Sequence, residues 1–270
     1  MNSQSSPRFG GIARLYGEPA LEQFQQARVC VVGIGGVGSW SVESLARSGV
    51  GHITMIDLDE ICITNINRQL HAMDGEIGRQ KTAAMAKRVE AINPDCQIHC
   101  LETFFSERNA DEILDSGFDF VIDAIDHVRA KCLLLAGCHQ RQIPVVACGG
   151  AGGLTDPTQI KIDDLSRSYN DALLNQVRKN LRSNYGFPAG GDPQKKIKAK
   201  KFGIPCVFSP ESPVFPQCDG SVSINRPSSG EKQGNRLNCA SGFGSITHMT
   251  ATVGLFATSQ CLKTLATPKA

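Results

Sequence analysis

The chain has few aromatic residues and no cysteine pair with C-x-x-C spacing; the closest cysteines, Cys96 and Cys100, lie in a segment predicted to be a strand. Aromatics make up 6% of its 270 residues, with one tryptophan and three tyrosines. The eleven cysteines are scattered and none belongs to a C-x-x-C pair, so a tetrahedral zinc site built from two such pairs is not expected. The first residues carry no apolar signal region, and we therefore expect a cytoplasmic protein whose cysteines are mostly small buried hydrophobes.

An excess of charge and a long hydrophobic run are also missing. The net charge of +2 neither requires nor excludes a polyanionic partner. The most apolar long stretch, from Cys239 to about Leu265, is interrupted by Ser241, Thr247 and His248, whereas a membrane span needs about 20 predominantly apolar residues. We favour a buried or dimer-facing helix there over association with a membrane.

Strand and helix patterns alternate regularly between residues 29 and 148. The predicted strands are 29–33, 52–57, 96–101, 118–123 and 143–148. The predicted helices are 36–48, about 79–92, 106–116 and 127–141. This alternation predicts an α/β fold, with a Rossmann-like, mostly parallel sheet and helices on both faces. Ligands of such a sheet bind at the carboxyl ends of its strands.

The pattern divides the chain into three regions of one continuous domain. They are an N-terminal segment 1–28 with a short helix from Glu18, a nucleotide-binding core 29–153, and a C-terminal subregion 154–270 that extends the sheet with antiparallel strands. The C-terminal elements are predicted at 159–163, 170–183, 206–209 and from Cys239 to the final helix end. Residues 186–201 and 209–238 are rich in turn formers and are expected to be mobile loops.

A glycine turn follows the first predicted strand. Val29 to Val32 form the buried run, and the turn then carries glycines at 33, 35, 36 and 38 before a helix begins. Glycines let the backbone approach a ligand closely, and the helix dipole favours negative charge at its start. The turn therefore predicts a bound nucleotide, without deciding which one.

Acidic and basic residues further along the chain distinguish between nucleotides. Asp57 ends the second strand, where a carboxylate can accept the hydroxyls of a ribose. Arg68 and Lys81 are suited to stabilising the charge of a leaving pyrophosphate, and Asp126 to holding Mg²⁺ against phosphates. The alternatives are that both cations face solvent and that Asp126 caps a helix. As a converging set, these residues favour a triphosphate over a dinucleotide.

Together these motifs resemble the ubiquitin-activating-enzyme superfamily, which includes ThiF and MoeB and whose members adenylate carboxylates. The resemblance implies ATP and Mg²⁺ as ligands. The positions it assigns to ATP are Gly33, Gly35, Gly36, Gly38, Ser39, Asp57, Asp59, Asn65, Arg68, Gln69, Lys81 and Asp126, the last also to Mg²⁺. Arg68, Lys81 and Asp126 would also serve catalysis.

Further motifs are similar to a tRNA-modifying branch of this superfamily, over nearly the whole chain. They are Arg8-Phe-Gly-Gly11, Arg14-Leu-Tyr-Gly17, Gly149-Gly-Ala-Gly-Gly153, Asp156-Pro-Thr158, Cys206-Val-Phe-Ser209 and Cys239-Ala-Ser-Gly-Phe-Gly244. The resemblance implies that ATP activates the threonine carboxylate of threonylcarbamoyladenosine beside the anticodon of tRNA, and that ring closure then releases AMP. It also implies a homodimer. The chain departs from the superfamily in lacking the zinc cysteines, and in having Gly11 where an arginine often reaches the partner subunit.

Cys239 is a candidate catalytic nucleophile. A thiol at a helix N-terminus has a lowered pKa, although a small buried residue fits the position equally well. It would matter for a second hypothesis, in which the chain adenylates a sulfur-carrier or ubiquitin-like protein or works with a cysteine desulfurase and its sulfur acceptor. A nucleotide-gated adaptor and a nicotinamide oxidoreductase are further alternatives, and the latter leaves Arg68 and Lys81 unexplained.

Basic residues in the C-terminal subregion are candidates for contact with tRNA phosphates. They are Arg178, Lys179, Arg182, Lys195, Lys196, Lys198, Lys200 and Lys201. A solvated lysine loop explains the same charges. Because no RNA-binding motif is present, we expect the flipped base to enter the cleft near Asp126 and the glycines at 149–153.

Overall fold

The structure, a computed structural model, describes residues 7–191, 200–217, 219–225 and 243–267. The strands are β1 Arg28–Val32, β2 His52–Ile56, β3 Gln97–Leu101, β4 Phe120–Asp123, β5 Val145–Cys148, β6 Lys161–Asp164, β7 Pro205–Phe208, β8 Phe215–Pro216 and β9 Val222–Ser223. The helices are α1 Gly10–Tyr16, α2 Glu18–Gln26, α3 Gly38–Arg47, α4 Lys81–Ile92, α5 Ala110–Leu114, α6 Val128–Gln140, α7 Ala172–Asn184 and α8 Thr247–Leu265.

Seven strands form one sheet in the order β3-β2-β1-β4-β5-β7-β6. All neighbours are parallel except β6, which pairs antiparallel with β7 through Asp163 and Cys206 at the sheet edge. The predicted α/β class and the antiparallel C-terminal extension are confirmed. The strand order reverses between β1 and β4, which is where a doubly wound sheet opens a crevice for a ligand.

Alternate residues of the central strands supply the two faces of the core. On β1, Val29 and Val31 pack on one side with Phe24 of α2, whereas Cys30 and Val32 pack on the other with helices α6 and α7. A strand buried on both faces reads as a continuous apolar run, which is why this element is predictable from the sequence. The buried core fixes the position of the turn that follows β1.

Helix α8 packs against α3 at very short range. The hydroxyl of Ser41 donates a hydrogen bond to the carbonyl oxygen of Gly254 at 3.1 Å, and that of Thr258 donates to Ser41 at 3.3 Å. A Cβ on Gly254 would lie 2.5 Å from the carbonyl oxygen of Val37, so only glycine permits this approach. The prediction of a buried final helix is confirmed. Among the described residues, no helix is long and apolar enough to cross a membrane.

Three sequence predictions about elements are wrong. Helix α8 begins at Thr247 rather than near residue 239, because residues 243–246 are not helical. Helix α5 is shorter than predicted, because the side chain of Asn109 accepts a hydrogen bond from the Ser106 N–H at 2.9 Å and holds a turn there. The predicted loop after β7 contains the small hairpin β8–β9.

Helix α1 is absent from the sequence prediction. Two glycines at its start make it a poor helix by propensity. Its buried Ala13 and the preceding Phe9 pack with Leu21 of α2, and this contact stabilises the helix. Tertiary packing therefore overrides local preference at the N-terminal segment.

Candidate functional site

A single cleft of about 1380 Å³ lies above the carboxyl ends of the central strands. It is lined by the glycine turn after β1, by the ends of β2 and β4, and by the glycine cluster 149–152 after β5. Asp57, Arg68, Lys81 and Asp126 all border this cleft. The structure thus brings together the four side chains that the sequence assigns to ribose, phosphates and metal.

The glycine turn is shaped by close backbone contacts. Gly33 has φ +89°, and a Cβ there would lie 2.8 Å from the carbonyl oxygen of Ala124. A Cβ on Gly38 would lie 1.8 Å from the carbonyl oxygen of Gly33. Gly35, in contrast, meets only the side-chain nitrogen of Gln69 at 3.7 Å and faces the cleft. Gly33 and Gly38 therefore shape the turn, and Gly35 leaves room for a ligand. A Cβ on Gly36 would lie 3.1 Å from Cγ2 of Thr250, so this glycine permits the close packing of α8.

Asp57 joins the end of β2 to this turn. Its Oδ2 accepts a hydrogen bond from the Ile34 N–H at 2.7 Å, and its Oδ1 accepts one from the Asp59 N–H at 2.8 Å. A carboxylate oxygen has more than one acceptor direction, so both oxygens can still accept from ligand hydroxyls. Asp57 is thus fixed in place at the rim of the cleft.

Lys81 begins α4 and is only 6% exposed. Its Nζ lies 2.8 Å from Oδ2 of Asp59, whose side chain is exposed. The backbone N–H of Lys81 also donates to the carbonyl oxygen of Asp59 at 3.1 Å. The ammonium is therefore held at the cleft by a partner that reaches solvent, and the alternative that Lys81 faces solvent is wrong.

The segment from Asn65 to Gln69 forms one wall of the cleft. Asn65 is buried and its Oδ1 accepts a hydrogen bond from the Cys62 N–H at 3.0 Å. The half-buried Arg68 donates from Nη1 to the carbonyl oxygen of Thr64 at 2.7 Å. The carbonyl oxygen of Arg68 accepts hydrogen bonds from Trp40 and Thr250 at 3.3 and 3.2 Å. Helices α3 and α8 thereby position the arginine.

Gln69 contributes an unsatisfied polar atom. Its Oε1 is buried and has no hydrogen-bond partner among the described residues, although the side chain borders the cleft. A buried acceptor without a partner costs free energy unless a ligand or water satisfies it. Together with the open turn at Gly35, this atom indicates that the cleft is built for a polar ligand such as a nucleoside triphosphate.

Asp123, the last residue of β4, and Asp126, which follows the strand, have different surroundings. Asp126 is exposed in the cleft, and helix α6 is capped instead by His127, whose Nδ1 accepts from the Ala130 N–H at 3.4 Å. The helix-cap alternative for Asp126 is therefore wrong. Asp123 is fully buried and lies 2.8 Å from Nζ of the equally buried Lys131. Burial raises the pKa of Asp123, and the nearby lysine opposes that shift.

Asp171, which also lines the cleft, is absent from the residues that the sequence predicts for the site. It caps α7 by accepting from the Leu174 N–H at 2.8 Å, and its Oδ2 accepts from the Gly150 N–H at 2.9 Å. Burial raises the pKa of Asp171. A Cβ on Gly149 would lie 2.2 Å from the same carboxylate, which explains a glycine at that position. An acidic residue at the start of the helix predicted at 170–183 was the available signal, but its contact with the glycine cluster is tertiary.

The remaining predicted residues lie at or beyond the edges of the site. Ser39 is fully buried behind the turn, where its Oγ accepts a hydrogen bond from the Leu70 N–H at 3.3 Å. Lys179, Lys200 and Lys201 are exposed, whereas Arg178 and Arg182 are partly buried. Lys195, Lys196, Lys198 and Cys239 lie outside the described residues.

Arg178 and Arg182 make contacts within the chain. Arg178 donates hydrogen bonds to Ser168 and Asn175, and burial lowers its pKa. Arg182 donates to the carbonyl oxygen of Pro188 at 3.2 Å, and its guanidinium lies 5.1 Å from the ring centroid of Phe202. This cation–π contact places the chain around Lys200 and Lys201 beside α7.

The cleft can hold a magnesium ion only if a bound ligand supplies part of its coordination. In the described part of the chain, no three His, Cys, Asp or Glu side chains form a cluster able to hold a metal ion. Mg²⁺ is commonly bound through one or two carboxylates together with the phosphates of a substrate. Asp126 is exposed in the cleft and provides one such carboxylate.

The fold and cleft define a nucleotide-binding α/β protein with a glycine turn at the switch point of a parallel sheet. The chain belongs to the ThiF family, whose model matches residues 11–269. This match agrees with the resemblance drawn from the sequence motifs.

Similar proteins extend over nearly the whole chain. The tRNA threonylcarbamoyladenosine dehydratase of Escherichia coli K12 is 47% identical over 257 residues, which cover 95% of this chain and 92% of that protein. The enzyme of the same name from Haemophilus influenzae is 48% identical, over 96% and 93% of the two chains. The solved structure of the E. coli dehydratase TcdA in complex with ATP superposes with a TM-score of 0.81 at 43% identity, over 96% and 93% of the chains.

Proposed function

We propose that this chain is an ATP-dependent enzyme that cyclises threonylcarbamoyladenosine next to the anticodon of tRNA. The observation that carries the proposal is one cleft that brings the glycine turn together with Asp57, Arg68, Lys81 and Asp126. The relatives from Escherichia coli and Haemophilus influenzae, which cover more than nine tenths of the chain, bear the name of this dehydratase. Adenylation of a sulfur-carrier protein has weaker support, since neither of these relatives is named as an enzyme that acts on such a carrier.

The reaction requires two displacements. An oxygen of the threonine carboxylate attacks the α-phosphorus of ATP, and the bond to the leaving pyrophosphate breaks. An atom of the same modified side chain then attacks the activated carbonyl carbon, which closes the ring and releases AMP. Arg68 and Lys81 stabilise the negative charge that moves onto pyrophosphate, and Asp57 accepts hydrogen bonds from the ribose.

Asp126 would hold Mg²⁺ on the phosphates. Bound there, the ion would neutralise charge on the transferring phosphoryl group. Asn65 and Gln69 support the same site: Asn65 holds the bend that positions Arg68, and the free Oε1 of Gln69 accepts a hydrogen bond from the ligand. Cys239 has no required role, because ring closure within the substrate needs no enzyme thiol.

We further propose a surface that binds tRNA and a segment through which two copies associate. The exposed Lys179, Lys200 and Lys201 form a basic surface beside α7 that contacts tRNA phosphates. Two copies associate as a homodimer through the N-terminal segment 1–28. The division into core 29–153 and C-terminal subregion 154–270, the cytoplasmic location and a desulfurase partner stay predictions.

The test offers ATP with alternative acceptors. We expect α-³²P-labelled ATP to yield AMP with tRNA that carries uncyclised threonylcarbamoyladenosine, and nucleoside mass analysis to show loss of one water from the modified base. A sulfur-carrier protein with a free Gly-Gly tail should release no pyrophosphate from ATP and should form no labelled acyl-adenylate. Pyrophosphate release with the carrier protein and not with the tRNA would contradict the proposal. Asp126→Asn should abolish turnover, with thermal stability as the control for folding.

A further inference from the structure

Two phenylalanine side chains in the cleft are exposed, one at each end. Phe104, in the loop after β3, is 59% exposed, and Phe243, shortly before α8, is 47% exposed. Both border the same cleft as Asp57 and the glycine cluster 149–152. Large apolar rings left open to solvent in a ligand cleft are suited to bind flat ligands.

The strand order separates the two rings. Asp57 follows β2, and β2 lies between β3 and β1, so a nucleoside whose ribose meets Asp57 has its base toward the loop after β3. That loop carries Phe104. The glycine cluster follows β5, on the opposite side of β1 and β4, and there the cleft holds Phe243. The end with Phe243 is therefore the end that the adenine of ATP does not occupy.

The ring of Phe243 is seated on glycines. A Cβ on Gly152 would lie 2.8 Å from Cβ of Phe243, and one on Gly153 would lie 2.7 Å from Cδ1 of the ring. The Gly153 N–H donates a hydrogen bond to the carbonyl oxygen of Gly244 at 2.7 Å, which fixes the backbone next to the ring. Phe215 packs against it with ring centroids 5.2 Å apart. The absence of side chains at Gly152 and Gly153 thus makes room for the ring.

We propose that Phe243 is the stacking platform for the unpaired purine of the nucleic-acid substrate, and that it holds the modified base at the acceptor end of the cleft. This inference rests on the proposed function and names the residue that recognises the base. A splayed-out RNA base is commonly bound by stacking on an aromatic ring. Asp171, which holds Gly150 in place from the other side, supports the glycine cluster under this platform.

The experiment compares Phe243→Leu, Phe243→Tyr and Phe104→Leu in the full chain. The substrates are ATP and tRNA bearing uncyclised threonylcarbamoyladenosine. Phe243→Leu keeps an apolar side chain on the glycines but removes the π-face, and we expect kcat/KM for tRNA to fall about 10- to 100-fold while KM for ATP stays unchanged. Phe243→Tyr should retain the activity of the unsubstituted protein. Phe104→Leu should raise KM for ATP and leave KM for tRNA unchanged.

Several outcomes would overturn the platform. Phe243→Leu with undiminished kcat/KM for tRNA would show that stacking is not used. A raised KM for ATP in that variant, or loss of thermal stabilisation by ATP, would show that the ring serves ATP or the fold. If the unsubstituted chain itself fails to cyclise the tRNA base, the proposed function fails. An active unsubstituted chain with an unaffected Phe243→Leu variant refutes the platform alone.

Discussion

Oδ2 of Asp57 accepts a hydrogen bond from the backbone N–H of Ile34 at 2.7 Å, which connects the end of β2 to the glycine turn after β1. We propose that the same carboxylate accepts hydrogen bonds from ribose. Asp57 would then hold the turn and bind the ligand through one side chain. Changing it should affect ATP affinity more than folding.

We expect Asp57→Ala to weaken ATP binding about 10- to 100-fold, because hydrogen bonds to a charged group contribute about 1.5–3 kcal/mol. Isothermal titration with ATP measures the change. Asp74→Asn, an exposed acidic position outside the cleft, is the control and should bind ATP normally. Equal ATP affinity in Asp57→Ala and the unsubstituted protein would exclude the ribose role.

Lys81 should act in the chemical step. Removal of one group that stabilises charge in a transition state lowers kcat by about 10²- to 10³-fold. We expect Lys81→Met to lower the rate of tRNA-dependent AMP formation by that factor while ATP still binds. Lys87→Met provides a matched control, since Lys87 is an exposed lysine on the same helix. A Lys81→Met variant with normal kcat would contradict the assignment.

The basic surface beside α7 should make the affinity for tRNA depend on salt concentration. The logarithm of the association constant falls linearly with the logarithm of the salt concentration. Each phosphate contact that is lost makes this slope shallower by about 0.7–0.9. We expect the combined Lys179→Gln, Lys200→Gln and Lys201→Gln variant to bind tRNA more weakly and with a shallower slope, measured by filter binding. Lys161→Gln and Lys263→Gln remove charge elsewhere and should leave the slope unchanged. If the triple variant keeps the slope of the unsubstituted protein, tRNA binds to another surface.

We expect the buried side chain of His71 to make the stability of the fold depend on pH. Its Nε2 lies 2.8 Å from the carbonyl oxygen of Ile34, and burial lowers its pKa below the ordinary value. As pH falls through about 6.5, the unfolded chain binds a proton that the native chain does not, so the free energy of unfolding should decrease by up to about 1.4 kcal/mol per pH unit. Urea unfolding between pH 7.5 and 5.5 measures this loss.

His71→Gln keeps a donor for Ile34 and should flatten that pH dependence. His99→Gln, at an exposed position on β3, should retain the slope of the unsubstituted protein. If His71→Gln and the unsubstituted protein lose stability equally on acidification, His71 is not the group responsible.

Sequence patterns predicted best the elements whose own residues reveal that they are buried. β1 and β4 are continuous apolar runs buried on both faces, and the glycine turn follows directly after β1. Asp57 and Lys81 could be assigned because each lies at an element boundary at the carboxyl edge of the sheet. The parallel topology then fixes their side of the molecule.

The features that were missed depend on contacts between distant segments. Asp171 reaches Gly150 only because the start of α7 lies next to the glycine cluster that follows β5. Gly254 permits the approach of α8 to α3, which no helical periodicity reveals. His127 caps α6 in place of Asp126, although aspartate is the stronger capping residue by preference. In each case tertiary geometry decided between choices that local chemistry left open.

Lys131 and Asp123 form a fully buried ion pair on the core side of the site, with Nζ and Oδ2 at 2.8 Å. Lys131→Met leaves the carboxylate without its compensating charge, and loss of one partner of a buried pair costs about 3–5 kcal/mol. Arg129→Met is the control on the same helix, since its ion pair with Glu107 is exposed and screened by solvent, so the free energy of unfolding should barely change. Urea unfolding measures both changes.

The sign of the pH dependence separates this explanation from simple loss of packing. Without Lys131, burial raises the pKa of Asp123 further above its unfolded value, so the native state binds a proton that the unfolded chain has released. The stability deficit of Lys131→Met should therefore grow as pH rises from 5 to 8 and shrink on acidification. Asp123→Asn combined with Lys131→Met should remove that pH dependence, because the asparagine carries no charge. A deficit that is the same at every pH would show that Lys131 contributes packing rather than charge compensation.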